Sequence, residues 1–208
     1  MFFDIGANIG NWSLQNIPNC EKIIAIEASP NTFQKLNDNV NIKVNVNKKI
    51  TCLNYAVCNS KDEYITFYNC NADTLSTINV EWLDSEKSRF YKQFNYETIQ
   101  CKTISIDKLI DDYGIPDLIK IDVEGGELEC LLSLSKKVKS LCFEWASETN
   151  DITFKCIDHL ESLGYNDFSI QYLDDYTYRP IIYDSKKNII NELKKTTPKH
   201  HWGMIWCR

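Results

Sequence analysis

Nothing in this sequence approaches the run of about 20 consecutive apolar residues that a membrane-spanning helix needs, so no bilayer span is expected. Positive charge is also in short supply. Lys and Arg number 23 against 29 Asp and Glu, a formal net charge of −6, and lysine clusters such as Lys136-Lys137-Lys139 and Lys194-Lys195 are short and scattered. A phosphate polymer finds no basic field here, which argues against nucleic acid as substrate or partner. No CxxC pair occurs among the nine cysteines. With an odd count and several thiols inside apolar runs, reduced, buried cysteines and a cytoplasmic setting are expected. Met1-Phe2-Phe3 leads straight into Asp4 without a basic flank or a long apolar stretch, so no signal peptide is read. Internal repeats are absent, and the one biased tract is the Asn/Lys-rich patch 37–49.

What is present is the balance of an ordinary globular chain, 43% hydrophobic and 25% charged over 208 residues. That length supports one hydrophobic core, so a single domain over 1–208 is expected. A short apolar run at 2–5 meets a glycine turn, and a helix follows over 11–17, stopped at Pro18. A second run, 23–26, ends on Glu27 ahead of helical spacing over 32–40. This βαβα order predicts a parallel sheet with right-handed crossovers. Further strands are expected at 50–57, 63–69, 103–106, 117–123 and 140–145. Helices are expected at 107–113 with Asp107 as N-cap, at 127 to about 137 with a basic end suited to its dipole, and at 151–163. Two late strands, 167–172 and 202–207, would add an antiparallel edge hairpin. Because the first strand starts at the first residue, with no helix ahead of it to cover the sheet, the chain is expected to be a piece of a longer protein. The stretch 70–98 is polar yet carries Trp82, Phe90, Tyr91, Phe94 and Tyr96; it reads either as a substrate-side lid or as aromatics capping the core.

The strongest chemical feature is Asp4-Ile5-Gly6-Ala7-Asn8-Ile9-Gly10 at the carboxyl end of the first strand, where an open α/β sheet has its ligand crevice. Glycines there let the backbone approach a ligand, and the next helix offers free N–H groups. A dinucleotide GxGxxG starting at Gly6 would need glycine where Asn8 and Asn11 stand, which argues against a nicotinamide-dependent oxidoreductase; DxGxxxG fits throughout. Glu27 ends the second strand where an acid can accept hydrogen bonds from both ribose hydroxyls.

Together with Ile26-Glu27-Ala28-Ser29-Pro30, Asn54-Tyr55-Ala56-Val57, Thr103-Ile104-Ser105-Ile106-Asp107 and Leu118-Ile119-Lys120-Ile121-Asp122-Val123-Glu124-Gly125-Gly126-Glu127, these residues resemble the FkbM-type methyltransferases over roughly 2–145. The resemblance implies a class I, Rossmann-like α/β fold: a mostly parallel sheet of about seven strands with an antiparallel edge hairpin and helices on both faces. It implies S-adenosylmethionine as cofactor. Asp4, Gly6, Ala7, Asn8 and Gly10 would shape its methionine end, Glu27 and Ala28 its ribose end, and Asn54 and Ala56 its adenine border. Asp122 and Glu124 would stand beside the sulfonium, and Glu144 on the same rim. The implied reaction is O-methylation of a sugar hydroxyl in a glycan or glycosylated metabolite.

An alcohol must lose its proton as it attacks, so a carboxylate within reach is needed: Asp122 first, with Glu124 or His201 behind it. The same acids are also suited to a divalent metal. Trp82 and Tyr91 would offer aromatic faces to the sugar. A fused glycosyltransferase is the expected neighbour in a longer protein, and a Rossmann-like interaction domain without catalysis is the rival to an enzyme.

Overall fold

The structure is a computed structural model describing residues 1–42, 49–72 and 74–208; residues 43–48 of the Asn/Lys-rich patch and Asp73 of the 70–98 stretch lie outside the described residues. In chain order come β1 (Phe2–Ile5), α1 (Asn11–Asn16), β2 (Ile23–Ile26), α2 (Pro30–Ile42), β3 (Ile50–Leu53), β4 (Ala56–Val57), β5 (Tyr64–Cys70), α3 (Glu81–Asp84) and β6 (Tyr96–Ile104). Then follow α4 (Ile106–Tyr113), β7 (Leu118–Ile121), α5 (Glu127–Leu131), β8 (Leu141–Ala146), α6 (Asn150–Ser162), β9 (Asp167–Tyr172), β10 (Asp184–Ser185), α7 (Lys186–Leu193) and β11 (Trp202–Cys207).

The main sheet has eight strands in the order β10-β9-β11-β8-β7-β1-β2-β3. From β3 to β8 every pairing is parallel, and β11 runs antiparallel to both β8 and β9. The late strands therefore pair as expected, with β11 inserted between β8 and β9 and the two-residue β10 as an eighth strand at the edge.

Both faces of the central strands are covered, so they are apolar apart from the buried Asp4 in β1 and Lys120 in β7. Their alternation sorts two half-cores. Phe3, Ile5, Ile24, Ile26, Ile119 and Ile121 face one side, packed with residues of α4, α5, α6 and α7. Phe2, Ile23, Ala25 and Leu118 face the other, with Trp12 of α1 and Leu36 and Val40 of α2. Towards β8 and β11 this second face is covered by irregular chain: Tyr176, Tyr178 and Tyr183 pack there, and the Arg179 guanidinium lies over the rings of Trp12 and Trp206. No described helix is long and apolar enough to cross a membrane, and all nine cysteines are free.

Four expectations change. The 50–57 strand splits into β3 and β4, because Asn54 turns its amide onto the carbonyls of Glu27 and Ala28 (2.8 and 2.9 Å) and β4 leaves to join β6. The 103–106 strand is the end of the nine-residue β6, whose exposed edge ribbon with β5 hides its period among polar side chains. The N-cap of α4 is Ser105, which accepts from the Lys108 N–H, while the Asp107 carboxylate accepts from the Ser135 N–H at 2.9 Å. The helix after Gly126 stops at Leu131, since the Ser133 hydroxyl donates to the Cys130 carbonyl and accepts from the Ile106 N–H. Lys136 and Lys137 thus lie beyond it, and the dipole argument lapses.

Candidate active site

The chain runs from β1 outward to β2 and β3, then returns to β7 on the other side of β1. Crossovers leaving opposite faces at this switch point open a crevice at the carboxyl ends of the strands. A cleft of about 240 Å³ lies there, lined by the 5–9 turn, Trp12, Ile26, Glu27, Ala28, Ala56, Val57, Phe67, Thr74, Ser76, Ile78, Lys120, Asp122, Glu124 and Tyr176.

Glu27, at the tip of β2, is only 8% exposed. Its Oε2 accepts from the Asn8 N–H and its Oε1 from the Ser29 N–H, both at 2.9 Å. Burial pushes its carboxyl up to about 7 although both bonds favour the charged form. Each oxygen keeps a lone pair, so the group can accept from a pair of neighbouring hydroxyls.

Gly6 sits at φ +75°, and a Cβ there would lie 1.7 Å from the Asp122 carbonyl oxygen. A Cβ at Gly10, φ +90°, would lie 2.7 Å from Leu36 Cδ1. The close approach of the end of β7 therefore requires glycine at position 6, and the left-handed backbone favours it at both positions. Ala7 and Asn8 carry the turn along the cleft wall.

Asp4 is wholly buried beneath the cleft. Its Oδ2 accepts from the Ser13 hydroxyl at 2.6 Å, and Lys120, its register partner on β7, places Nζ 3.4 Å from Oδ1. The same Nζ lies 3.1 Å from Asp122 Oδ2 and donates to the Gly6 carbonyl at 3.2 Å. Burial opposes the lysine's charge, but Asp122 and Asp4 outweigh it and hold the ammonium well above the ordinary lysine value. Asp4 is thus an anchor under the pocket floor. Lys120, quoted in the motif without a role, ties β1, the glycine turn and Asp122 together.

Asp122, just past β7, Glu124 and Glu144 of β8 bring carboxylate oxygens within 4.8 Å of one another. Burial pushes Glu124 up, and the charges of Asp122 and Glu127 add to it; burial, then Glu124 and Asp122, does the same to Glu144. Glu127 turns back to accept from the N–H groups of Val123 and Gly125 at 3.1 and 3.2 Å, so it braces the turn.

The expected substrate and base residues fare unevenly. Trp82 is 5% exposed, with Phe90 edge-on to its ring at 5.5 Å and Gly125 against it, so it offers no open face to a sugar. Tyr91 stands off the cleft under the Lys92 ammonium. His201 is also off it, its ring edge-on to Tyr172 and its Nδ1 against Thr197. Asn54 braces the main chain instead of facing the cleft. The 70–98 stretch divides between both expectations: Leu75, Trp82, Leu83, Phe90 and Phe94 build a small core against Ala146 and Trp202, while Thr74, Ser76 and Ile78 line the cleft. Tyr176 and its neighbour Asp174, pushed up to about 6 by burial and then by Asp122, come from the far end of the chain with no motif to mark them.

The sequence profile of the methyltransferase FkbM domain matches residues 4–180. The chain belongs to the FkbM methyltransferase family. Its methyl donor is S-adenosylmethionine. Structures agree on the fold: methyltransferase FkbM from Methylobacillus flagellatus KT superposes with a TM-score of 0.53 at 17% identity, covering 100% of this chain and 43% of that one. Precorrin-6y C5,15-methyltransferase from Geobacter metallireducens GS-15 gives 0.50 at 16% identity, covering 100% of this chain and 78% of that one. This FkbM domain thus spans under half the length of the Methylobacillus chain it resembles. No curated protein sequence matches it.

Proposed function

We propose that this FkbM domain transfers a methyl group from S-adenosylmethionine to a hydroxyl of a sugar, in a glycan or glycosylated metabolite. The carrying observation is the Glu27 carboxylate, buried at the tip of β2 with one lone pair free on each oxygen and the 6–8 turn beside it. That arrangement suits a ribose diol. Ile26, Ala28, Val57, Phe67 and Ile78 supply an apolar wall for the base, and Gly6, Ala7 and Asn8 would border the methionine end. When bound, the cofactor supplies a sulfonium-activated methyl group, so the protein's task is alignment and proton removal. Asp122 lines the cleft and is the first choice to accept the proton the attacking hydroxyl loses, with Glu124 beside it. Thr74, Ser76, Asn8 and Tyr176 give the cleft mouth hydroxyl and amide groups in keeping with a polyol acceptor, and the FkbM resemblance points the same way. A glycosyltransferase in the whole protein is the partner such an activity suits.

The test is incubation with isotopically labelled cofactor and a panel of sugars and glycosides, read by mass spectrometry. A labelled O-methyl sugar is expected, and Asp122→Asn should slow transfer by about 100-fold or more while the cofactor still binds. An undiminished rate in that variant would remove Asp122 from the chemistry, and label on nitrogen or carbon only would overturn the sugar hydroxyl.

A further inference from the structure

Three carboxyl groups whose oxygens lie within 4.8 Å of one another can all ionise only beside a counter-charge. Asp122 stands just past β7, Glu144 is fixed within β8 opposite Met204, and Glu124 sits in a turn braced by Glu127 and by the Asn79 amide donating to the Gly125 carbonyl at 3.0 Å. Among the described residues the cation paired with this cluster is Lys120, which reaches Asp122 and is already shared with Asp4, with Asp174 a further acid nearby. A second observation comes from the other side of the cluster: the buried Trp82 indole N–H, in a residue 5% exposed, has no acceptor within hydrogen-bond distance, and Glu124 is the carboxylate it lies near enough to favour in the ionised form.

We propose that Asp122, Glu124 and Glu144 form a binding site for one hard divalent cation at the edge of the cofactor cleft. An all-oxygen set selects magnesium, manganese or calcium over metals that prefer nitrogen or sulfur. Two oxygens on one ion are separated by at most about 4.2 Å for magnesium and about 4.6–5.2 Å for calcium. A spread within 4.8 Å therefore admits a calcium-sized ion almost as it stands, and magnesium after a contraction of a few tenths of an ångström. Ligating carboxylates are themselves steadied by hydrogen bonds, and Glu124 drawn inward, or a water on the ion, gives the Trp82 N–H the acceptor it lacks.

The site's position beside the transferred methyl group rests on the functional reading above; the binding itself does not. Chain stripped with a chelator is titrated with Mn²⁺, Mg²⁺ and Ca²⁺ by calorimetry, with Mn²⁺ also followed by electron paramagnetic resonance, and separately with S-adenosylmethionine. One Mn²⁺ per chain is expected, with affinity at least about tenfold weaker in Glu144→Gln and in Glu124→Gln. At an ion concentration a few times the wild-type Kd, the melting midpoint should rise clearly in the wild type and by much less in Glu144→Gln. Without ion, Glu144→Gln should melt no lower than wild type, since an amide of the same shape replaces a buried carboxyl crowded by two others, and this separates a lost ligand from a lost fold. No saturable Mn²⁺ binding up to about 10 mM, or equal affinity in both variants, would overturn the site. Cofactor binding without cation binding sinks the cation site alone; cation binding without cofactor binding sinks the functional reading alone.

Discussion

At the scale of single residues, Glu27 has the clearest consequence. Its carboxyl, lifted by burial to about 7 from an ordinary 4.5, is largely protonated in the ligand-free chain below neutrality. A diol donates to the ionised form, so cofactor affinity should weaken by about tenfold for each pH unit below 7 and level off above it. The sign for folding is opposite: an acid raised in the native state makes the free chain less stable as pH rises from about 4.5 to about 7. Calorimetric titrations with S-adenosylmethionine from pH 5.5 to 8.5 check the first statement, and Glu27→Gln should flatten the profile; a steep profile in that variant would assign the titration elsewhere. Glu27 was legible in the sequence because an acid closing a short apolar run has few other uses. Lys120 was not, since a single charge inside Leu118-Ile119-Lys120-Ile121 shows its purpose only when the register sets Asp4 opposite it.

Between elements, the Asp4–Lys120 pair joins β1 to β7 in the middle of the sheet. Removing one partner leaves the other charge buried without its mate, which costs about 3–5 kcal/mol. Lys120→Met should therefore shift the urea midpoint down by that equivalent, and a change under about 1 kcal/mol would mean that the pair is not the tie between the strands. The parallel core strands could be read in advance because burial on both faces leaves short, mostly apolar runs, with Asp4 and Lys120 the interruptions in β1 and β7. β6 could not: as half of a surface ribbon, it places charged and amide side chains at positions that loops also favour. The early end of α5 was hidden for a similar reason, since Ser133 stops it through side-chain bonds to Cys130 and Ile106 that no helix-stop residue announces.

For the whole molecule, the site is a product of topology. Residues 4–8, 27, 56–57, 120–124, 144 and 176 are spread along the chain and meet at the point where the strand order reverses. The glycine turn and the Asp122–Glu127 block were visible as motifs, whereas the contribution of Tyr176 and Asp174 required the fold to carry residues from beyond β9 back over β1. Burial of Trp82 likewise became visible only once its loop was seen to fold on its own small core. The central claim is that the crevice between the tips of β1, β2 and β7 receives a sulfonium nucleoside. Isothermal titration of the chain with S-adenosylmethionine and, separately, with NAD tests it most directly. One molecule of S-adenosylmethionine per chain, bound at least about tenfold more weakly by Glu27→Ala, with no heat from NAD, is the predicted result; NAD binding, or S-adenosylmethionine affinity unchanged by Glu27→Ala, would contradict it.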